Sequence, residues 1–260
     1  MTQASQVRAL SRGLDILEFL AEHGPASLHQ IHVGVRLPKT SLRRLLATLV
    51  ERRFVRVGLS DGMYRSNIAT LRAVDPQNSV RVGRLVEVAR PHTQDLTRAL
   101  KWPVHLHVFA NARMRIIEST HGQSAFGASS GADVEVELNM FVSASGLAYL
   151  AQLPDARVLE IMEQRRDDPF ASPARYGIKA DDLLANLAAV RVAGYGTRKT
   201  SQLRVDRRHA IAVAICEKGA PLGAFAVAWP MGLMTPEAFA KAHLEKLSAA
   251  ARAVSAALGA

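Results

Sequence analysis

Residues 37–57 hold the pattern that most constrains this chain, because a leucine stripe on a basic helix runs directly into a basic strand. Pro38 suits the first turn of a helix, where its missing N–H costs nothing. Leu42, Leu45, Leu46 and Leu49 then fall at i, i+3, i+4 and i+7, one face of a helix running to about residue 52. Lys39, Thr40, Ser41, Arg43, Arg44 and Thr48 take the remaining positions, and such donors suit phosphates and base edges in a major groove. The alternative for that face is a plain solvated surface. Residues 54–57 and 63–65 read as two strands joined by a tight turn at Ser60, Asp61 and Gly62. Arg56 and Arg65 on this hairpin are expected near a flanking groove or phosphates.

Two helices precede this segment. Residues 7–22 place Leu10, Leu14, Leu17 and Ala21 on one face, with Arg12, Asp15 and Glu18 turned away, and Gly24 and Pro25 end the helix. Ser27 opens a second helix, with Gln30 where a capping box needs it, and that helix closes near Gly34. Three helices followed by a basic hairpin describe a winged helix-turn-helix, assigned to residues 1–70. Its candidate DNA contacts are Arg12, Lys39, Thr40, Ser41, Arg43, Arg44 and Arg65. Charge agrees with a polyanionic partner: the net charge is +10, and residues 1–75 hold eleven Lys or Arg against six Asp or Glu, or +5, half of the excess.

Beyond this point the texture changes. Residues 71–82 read as a linker, and a helix at 79–100 follows, with Leu85, Ala89, Leu96 and Leu100 apolar and Pro91 expected to bend or interrupt it. Residues 104–110 and 114–120 alternate like half-buried strands joined at Asn111, Ala112 and Arg113. Helices are expected at 144–153, 155–166 and 181–193, a strand hairpin at 211–216 and 222–229, and a last helix at 236–258 capped by Thr235. The whole chain is thus α+β, with a second domain over residues 83–260.

Several classes of chemistry find no support. Cys216 is the only cysteine, so one chain can form neither a disulfide framework nor a cysteine zinc site, which fits a reducing cytoplasm. No stretch approaches the ~20 apolar residues of a membrane span, so a soluble protein without a membrane partner is expected. His105 and His107 share a strand face as an H-x-H metal pair would, but without carboxylate or cysteine at ligand spacing they read as packed or hydrogen-bonded side chains. His121 reads equally as a pocket donor or a loop residue. Ser143-Ala144-Ser145-Gly146 lacks the nucleophile elbow and reads as a helix cap. The glycines and serines of 122–131 do not form a phosphate loop and read as a flexible segment, with Phe126 a candidate aromatic contact. Arg165 to Asp168 reads as a solvated helix end. No nucleophile, base or metal set at suitable spacing marks an enzyme, and no cofactor or metal is expected.

These segments resemble the isocitrate-lyase regulator (IclR) family of bacterial transcription factors. The first match is VRALSRGLDIL at 7–17, followed by LPKTSLRRLLATL at 37–49 and the hairpin to Tyr64 and Arg65. Further matches are ARP at 89–91, SASGLAYLA at 143–151, VRVAGYG at 190–196 and GAFAVAWP at 223–230, so that seven stretches in order span nearly the whole chain. Arg12-Gly13-Leu14, Trp102-Pro103, Thr120-His121 and Ala144-Ser145-Gly146-Leu147 bring it nearest to members that activate 3-(3-hydroxyphenyl)propionate degradation.

The resemblance implies a C-terminal GAF/PAS-like effector-binding and oligomerisation domain and a dimer or tetramer on a palindromic operator in double-stranded DNA. RNA polymerase is a further candidate partner. By position it places the effector site at Ser143, Ala144 and Ser145, at Thr200 and Ala210, and at Ala226 and Ala228. Keto-acid sensors of the family carry a cysteine and two serines where this chain has Ala210, Ala226 and Ala228. That change favours a larger, more apolar effector such as a small aromatic carboxylate, seated on the N–H groups at 143–145. The expectation is a cytoplasmic regulator that activates an aromatic-acid catabolic operon. The alternatives are a repressor answering a different organic acid, an enzyme or sensor using the GAF-like domain, and a DNA binder whose alanines merely pack a core.

Overall fold

The computed structural model of this 260-residue chain describes residues 7–67, 76–110, 113–126, 136–198 and 207–259. They divide between two compact units, 1–87 and 88–260. The first holds helices α1 (Arg8–His23), α2 (Leu28–Val35) and α3 (Lys39–Glu51), then the hairpin of β1 (Val55–Val57) and β2 (Tyr64–Ser66). The capping box forms: Gln30 N donates to Ser27 Oγ and Ser27 N donates to Gln30 Oε1, satisfying two otherwise orphaned donors. Pro38 stands one position earlier than expected, as the residue before α3.

Leu42, Leu46 and Leu49 of α3 meet Ile31 of α2 and Ile16 and Leu20 of α1 in one core, and Leu45 packs at its margin. The first helix departs from expectation. Leu10 and Leu14, expected to face inward, are 63% and 49% exposed, while Ile16 and Leu20 are buried. Both stripes satisfy the helical period, so periodicity alone does not choose between them. The side chains offered by α2 and α3 do.

Helix α4 (Pro76–Leu100) spans the division at 87/88 and contains Pro91 without a break, so residues 76–82 of the expected linker are helical. Its Leu85, Ala89, Leu96 and Leu100 are buried as expected. The second unit is built on a six-stranded antiparallel sheet in the order β5-β4-β3-β8-β7-β6. Its long strands are β3 (Val104–Ala110), β4 (Arg113–Ser119), β7 (Arg208–Glu217) and β8 (Ala220–Pro230). The edges β5 (Glu137–Asn139) and β6 (Gly196–Thr197) are too short to show alternation and went unread in the sequence.

The two faces of this sheet differ in size of side chain, because alternate residues point to opposite sides. Phe225, Val227 and Trp229 of β8 face one way, and Trp229 stacks at 4.0 Å on Phe239 of the last helix, α8 (Pro236–Gly259). Ala224, Ala226 and Ala228 face the other way and, with Ala210 and Ala212 of β7, meet Ala144 and Ala148 of α5 (Ala144–Leu150). Helices α6 (Asp155–Gln164) and α7 (Ala180–Ala193) close a second core with Met140, Phe141, Leu147 and Leu150. Arg191 of α7 ties this layer together, donating to the carbonyls of Ala151 and Leu153 and to Asp155. No helix among the described residues is long and apolar enough to cross a membrane.

Candidate functional site

Two surfaces carry chemistry. On the first unit, Lys39, Thr40, Arg43, Arg44 and Thr48 of α3 are exposed and Ser41 is half-buried, with Arg12 exposed on α1. No acidic side chain interrupts α3 before Glu51. Such a face presents two guanidinium groups and an ammonium with no ion pair among the described residues, which suits a run of phosphates.

The hairpin corrects part of this expectation. Arg65 is 5% exposed and its guanidinium grips Asp61 at 2.7 and 2.9 Å, while the buried Arg56 donates to Asn67 Oδ1 at 2.8 Å. Arg56 and Arg65 stand directly opposite across the strands. Like charges in that position repel, and both side chains are turned inward onto local acceptors, a carboxylate for Arg65 and an amide oxygen for Arg56, instead of outward to a groove. The hydrogen bond from Arg65 holds the Asp61 carboxyl below its usual value.

The second surface is a cavity of about 260 Å³ between α5 and the alanine face of the sheet. Its space comes from small residues: Ala210, Ala226 and Ala228 form one wall and Ala144 another. Ser143 and Ser145 also line it, so all six of these expected residues converge. Thr200 lies outside the described residues. Phe126 does not line the cavity; it stacks on Trp102 at 4.5 Å and is 45% exposed, its flat ring spent on that aromatic partner. His121 sits in a short turn, His121–Gln123, and is not in the lining.

Two glycines set how close the walls come. A Cβ on Gly146 would stand 2.1 Å from the Met140 carbonyl, and one on Gly196 would stand 2.3 Å from the Ala144 carbonyl. Only glycine therefore lets α5 rest against β6 and the 140–142 turn. Helix α5 has just seven residues. Its Gly146 N–H is taken by Ser143 Oγ at 3.2 Å and its Leu147 N–H by the Ser143 carbonyl at 3.0 Å. So short a helix offers little dipole for the anion seat expected at 143–145.

The polar groups that the sequence reading missed are on other elements. Arg198 and Arg208 line the cavity, at the two ends of a stretch whose middle, 199–206, lies outside the described residues. His105 and His107 of β3 line it as well. Both are buried, and burial is the main force pushing their pKa values down, His105 to about 4 and His107 well below its usual value. The charges of His121, Arg198 and Arg208 press His105 the same way, and those of His105 and Arg198 press His107. His107 Nδ1 shares a 2.8 Å hydrogen bond with Ser145 Oγ. The H-x-H spacing was the available signal, and it pointed to polar facing side chains whose position only the sheet register reveals. Among the described residues no cluster of three or more metal-ligating side chains occurs.

Comparison with known proteins places both surfaces in one context. Residues 9–58 match the IclR helix-turn-helix domain, and residues 77–256 match the family described as bacterial transcriptional regulator IclR C-terminal. The transcriptional repressor IclR of Escherichia coli is 24% identical over 239 residues, covering 89% of this chain and 83% of that protein. Among solved structures, Pseudomonas aeruginosa HmgR superposes with a TM-score of 0.54 at 22% identity, covering 97% of this chain and 98% of that one. An IclR homolog from Microbacterium hydrocarbonoxydans, complexed with 4-hydroxybenzoate, superposes with a TM-score of 0.52 at 23% identity over 96% and 98% of the two chains. These relatives share the helix-turn-helix unit and the curled-sheet unit, and those named for a role are transcriptional regulators rather than enzymes.

Proposed function

We propose, from the premise that this chain belongs to the IclR family of bacterial transcriptional regulators, that it is a cytoplasmic activator of an aromatic-acid catabolic operon. Its first unit binds a palindromic operator through Arg12 and the exposed face of α3. A small aromatic carboxylate in the second unit controls that binding. The chain acts as a dimer or tetramer, since a symmetric operator presents two half-sites about 34–36 Å apart, or a multiple of that, and RNA polymerase is the partner on which an activator would act.

The observation that carries the effector reading is the cavity with apolar walls and a cationic border. A benzene-sized ring occupies a cavity of ~150 Å³, so 260 Å³ leaves space for a ring and a short carboxylate arm. Ala210, Ala226 and Ala228 give the ring an apolar wall, and Arg198 and Arg208 supply the charge for the carboxylate. The neighbour that binds 4-hydroxybenzoate supports the ligand class. The regulators of 3-(3-hydroxyphenyl)propionate degradation that the sequence resembles support activation. A repressor reading rests on the E. coli relative's name, and a reporter on the controlled promoter, with and without the chain's gene, separates the two.

A titration of promoter DNA at several salt concentrations tests the DNA-binding half. Arg43→Ala with Arg44→Ala should lower the salt slope by about 1–2 while the melting temperature stays put. A thermal-shift series tests the other half: benzoate and 3-phenylpropionate should raise the melting temperature at concentrations where glyoxylate and pyruvate do not, because a ligand bound only by the folded chain stabilises it.

A further inference from the structure

The turn between α2 and α3 is strained, and the residue that bears the strain is charged. Helix α2 closes at Arg36, whose φ of 53° and ψ of 36° are left-handed. Glycine is the usual residue at such a helix end, because a side chain there crowds the backbone. The conformation is imposed from both sides. Val35 and the buried Leu37 pack against the core of the first unit, and Nδ1 of His32 donates to the Leu37 carbonyl at 2.6 Å. Arg36, between these anchors, is exposed.

No contact inside the protein accounts for an arginine here. The Arg36 guanidinium has no hydrogen bond or ion pair among the described residues. Arg53, the other non-glycine residue with positive φ among the described residues of that unit, ion-pairs with Glu87. A cation at the end of α2 gains little from the helix dipole, since that helix has eight residues and the side chain is exposed to screening salt. Its place in the chain is more telling. Arg36 stands three residues before Lys39, where α3 begins. The first residues of a recognition helix meet base edges in the major groove. A residue just ahead of them therefore lies at the rim of the groove, where the phosphates run, and a guanidinium fork fits phosphate oxygens.

We infer that Arg36 is a further DNA contact, gripping a backbone phosphate beside the point where α3 enters the groove, and that the turn keeps an arginine in place of the more stable glycine for the sake of this contact. This rests on the reading of the first unit as a DNA binder. A phosphate contact carries no sequence information. Arg36 therefore adds affinity for any duplex and leaves the choice of operator to the side chains of α3.

Fluorescence-anisotropy titration of labelled random-sequence duplex DNA with the full chain, at several salt concentrations, tests this. Arg36→Gly should lower the salt slope by about 1 while the melting temperature holds or rises, a pairing that a residue kept for the fold does not give. Arg36→Asn, which also tolerates the left-handed turn, should lower the slope equally, and Arg36→Lys should retain it. Lys218→Gly makes the matching exchange at an exposed left-handed position in the turn between β7 and β8. It removes one charge from the second unit and should leave the slope unaltered. A slope unchanged by Arg36→Gly overturns the inference. An equal fall in Lys218→Gly overturns it too, since net charge would then explain the effect. A lower melting temperature in Arg36→Gly makes the arginine a helix-end residue and likewise overturns it. Absence of salt-dependent binding by the unaltered chain overturns the DNA-binding reading itself, and the Arg36 inference with it.

Discussion

Arg56 and Arg65 in the hairpin and His105 and His107 in the large sheet are buried to a similar depth, at 7%, 5%, 2% and 4% exposure. The terminal guanidinium nitrogens of the arginines find acceptors within the hairpin: Asp61 takes both of those of Arg65, and Asn67 takes Nη1 of Arg56. The histidines are met by one hydroxyl, Ser145, and otherwise border a cavity. The first pair is closed within one hairpin, whereas the second joins the sheet to α5 beside the cavity. A buried guanidinium cannot shed its charge and is met by local acceptors, whereas a buried imidazole is held in its neutral form instead.

Acid breaks this comparison most strongly. Unfolded, a histidine titrates near 6.5, whereas folded His105 resists protonation down to about 4. The unfolded chain therefore takes up the proton first, so stability is full above pH 6.5 and falls as pH drops toward 4. The loss from His105 should be about 3 kcal/mol, with His107 adding in the same direction. Denaturation midpoints of the second unit between pH 7 and 4 check this, and His105→Leu should flatten the curve. A midpoint that does not fall over that range would show the imidazoles already charged.

Removing Asp61 comes next. Asp61→Ala leaves the Arg65 guanidinium buried without its carboxylate and should cost about 2 kcal/mol, below the 3–5 kcal/mol of a fully buried pair because Asp61 reaches solvent. The double change with Arg65→Leu should recover most of that loss in chemical denaturation. Failure of the second change to rescue the first would mean that Arg65 matters for more than its charge.

Ser145→Ala has a smaller effect. It frees Nδ1 of His107 and lets the ring turn, so hydroxybenzoate affinity should fall by about 1 kcal/mol, the worth of one hydrogen bond, as read by calorimetry. Phe126→Ala should matter least to the ligand, with affinity held within about 0.5 kcal/mol, because its ring lies on Trp102 and outside the lining. A large loss of affinity there would restore Phe126 to the site.

Features decided by neighbours along the chain were legible in the residues themselves. The Ser27 and Gln30 box, the leucine face of α3, the hairpin turn at Asp61 and Gly62, the Thr235 cap and the alternation of β8 all depend on spacing of a few residues. The alanine wall was legible by resemblance, because those positions could be matched one by one. Tertiary structure alone decided the rest. Spacing marks a face of a helix or strand but does not say which partner it meets: α1 carried two apolar stripes, and the core took Ile16 and Leu20. Arg65 looked like a wing contact until its register set it opposite Arg56 and beside Asp61. His105 and His107 reach the cavity wall only because β3 pairs with β8, which sets His105 across from Ala226, while α5 brings Ser145 within 2.8 Å of His107. Such pairings join residues far apart in sequence, and the free energy that selects them belongs to the packed whole and not to any local stretch.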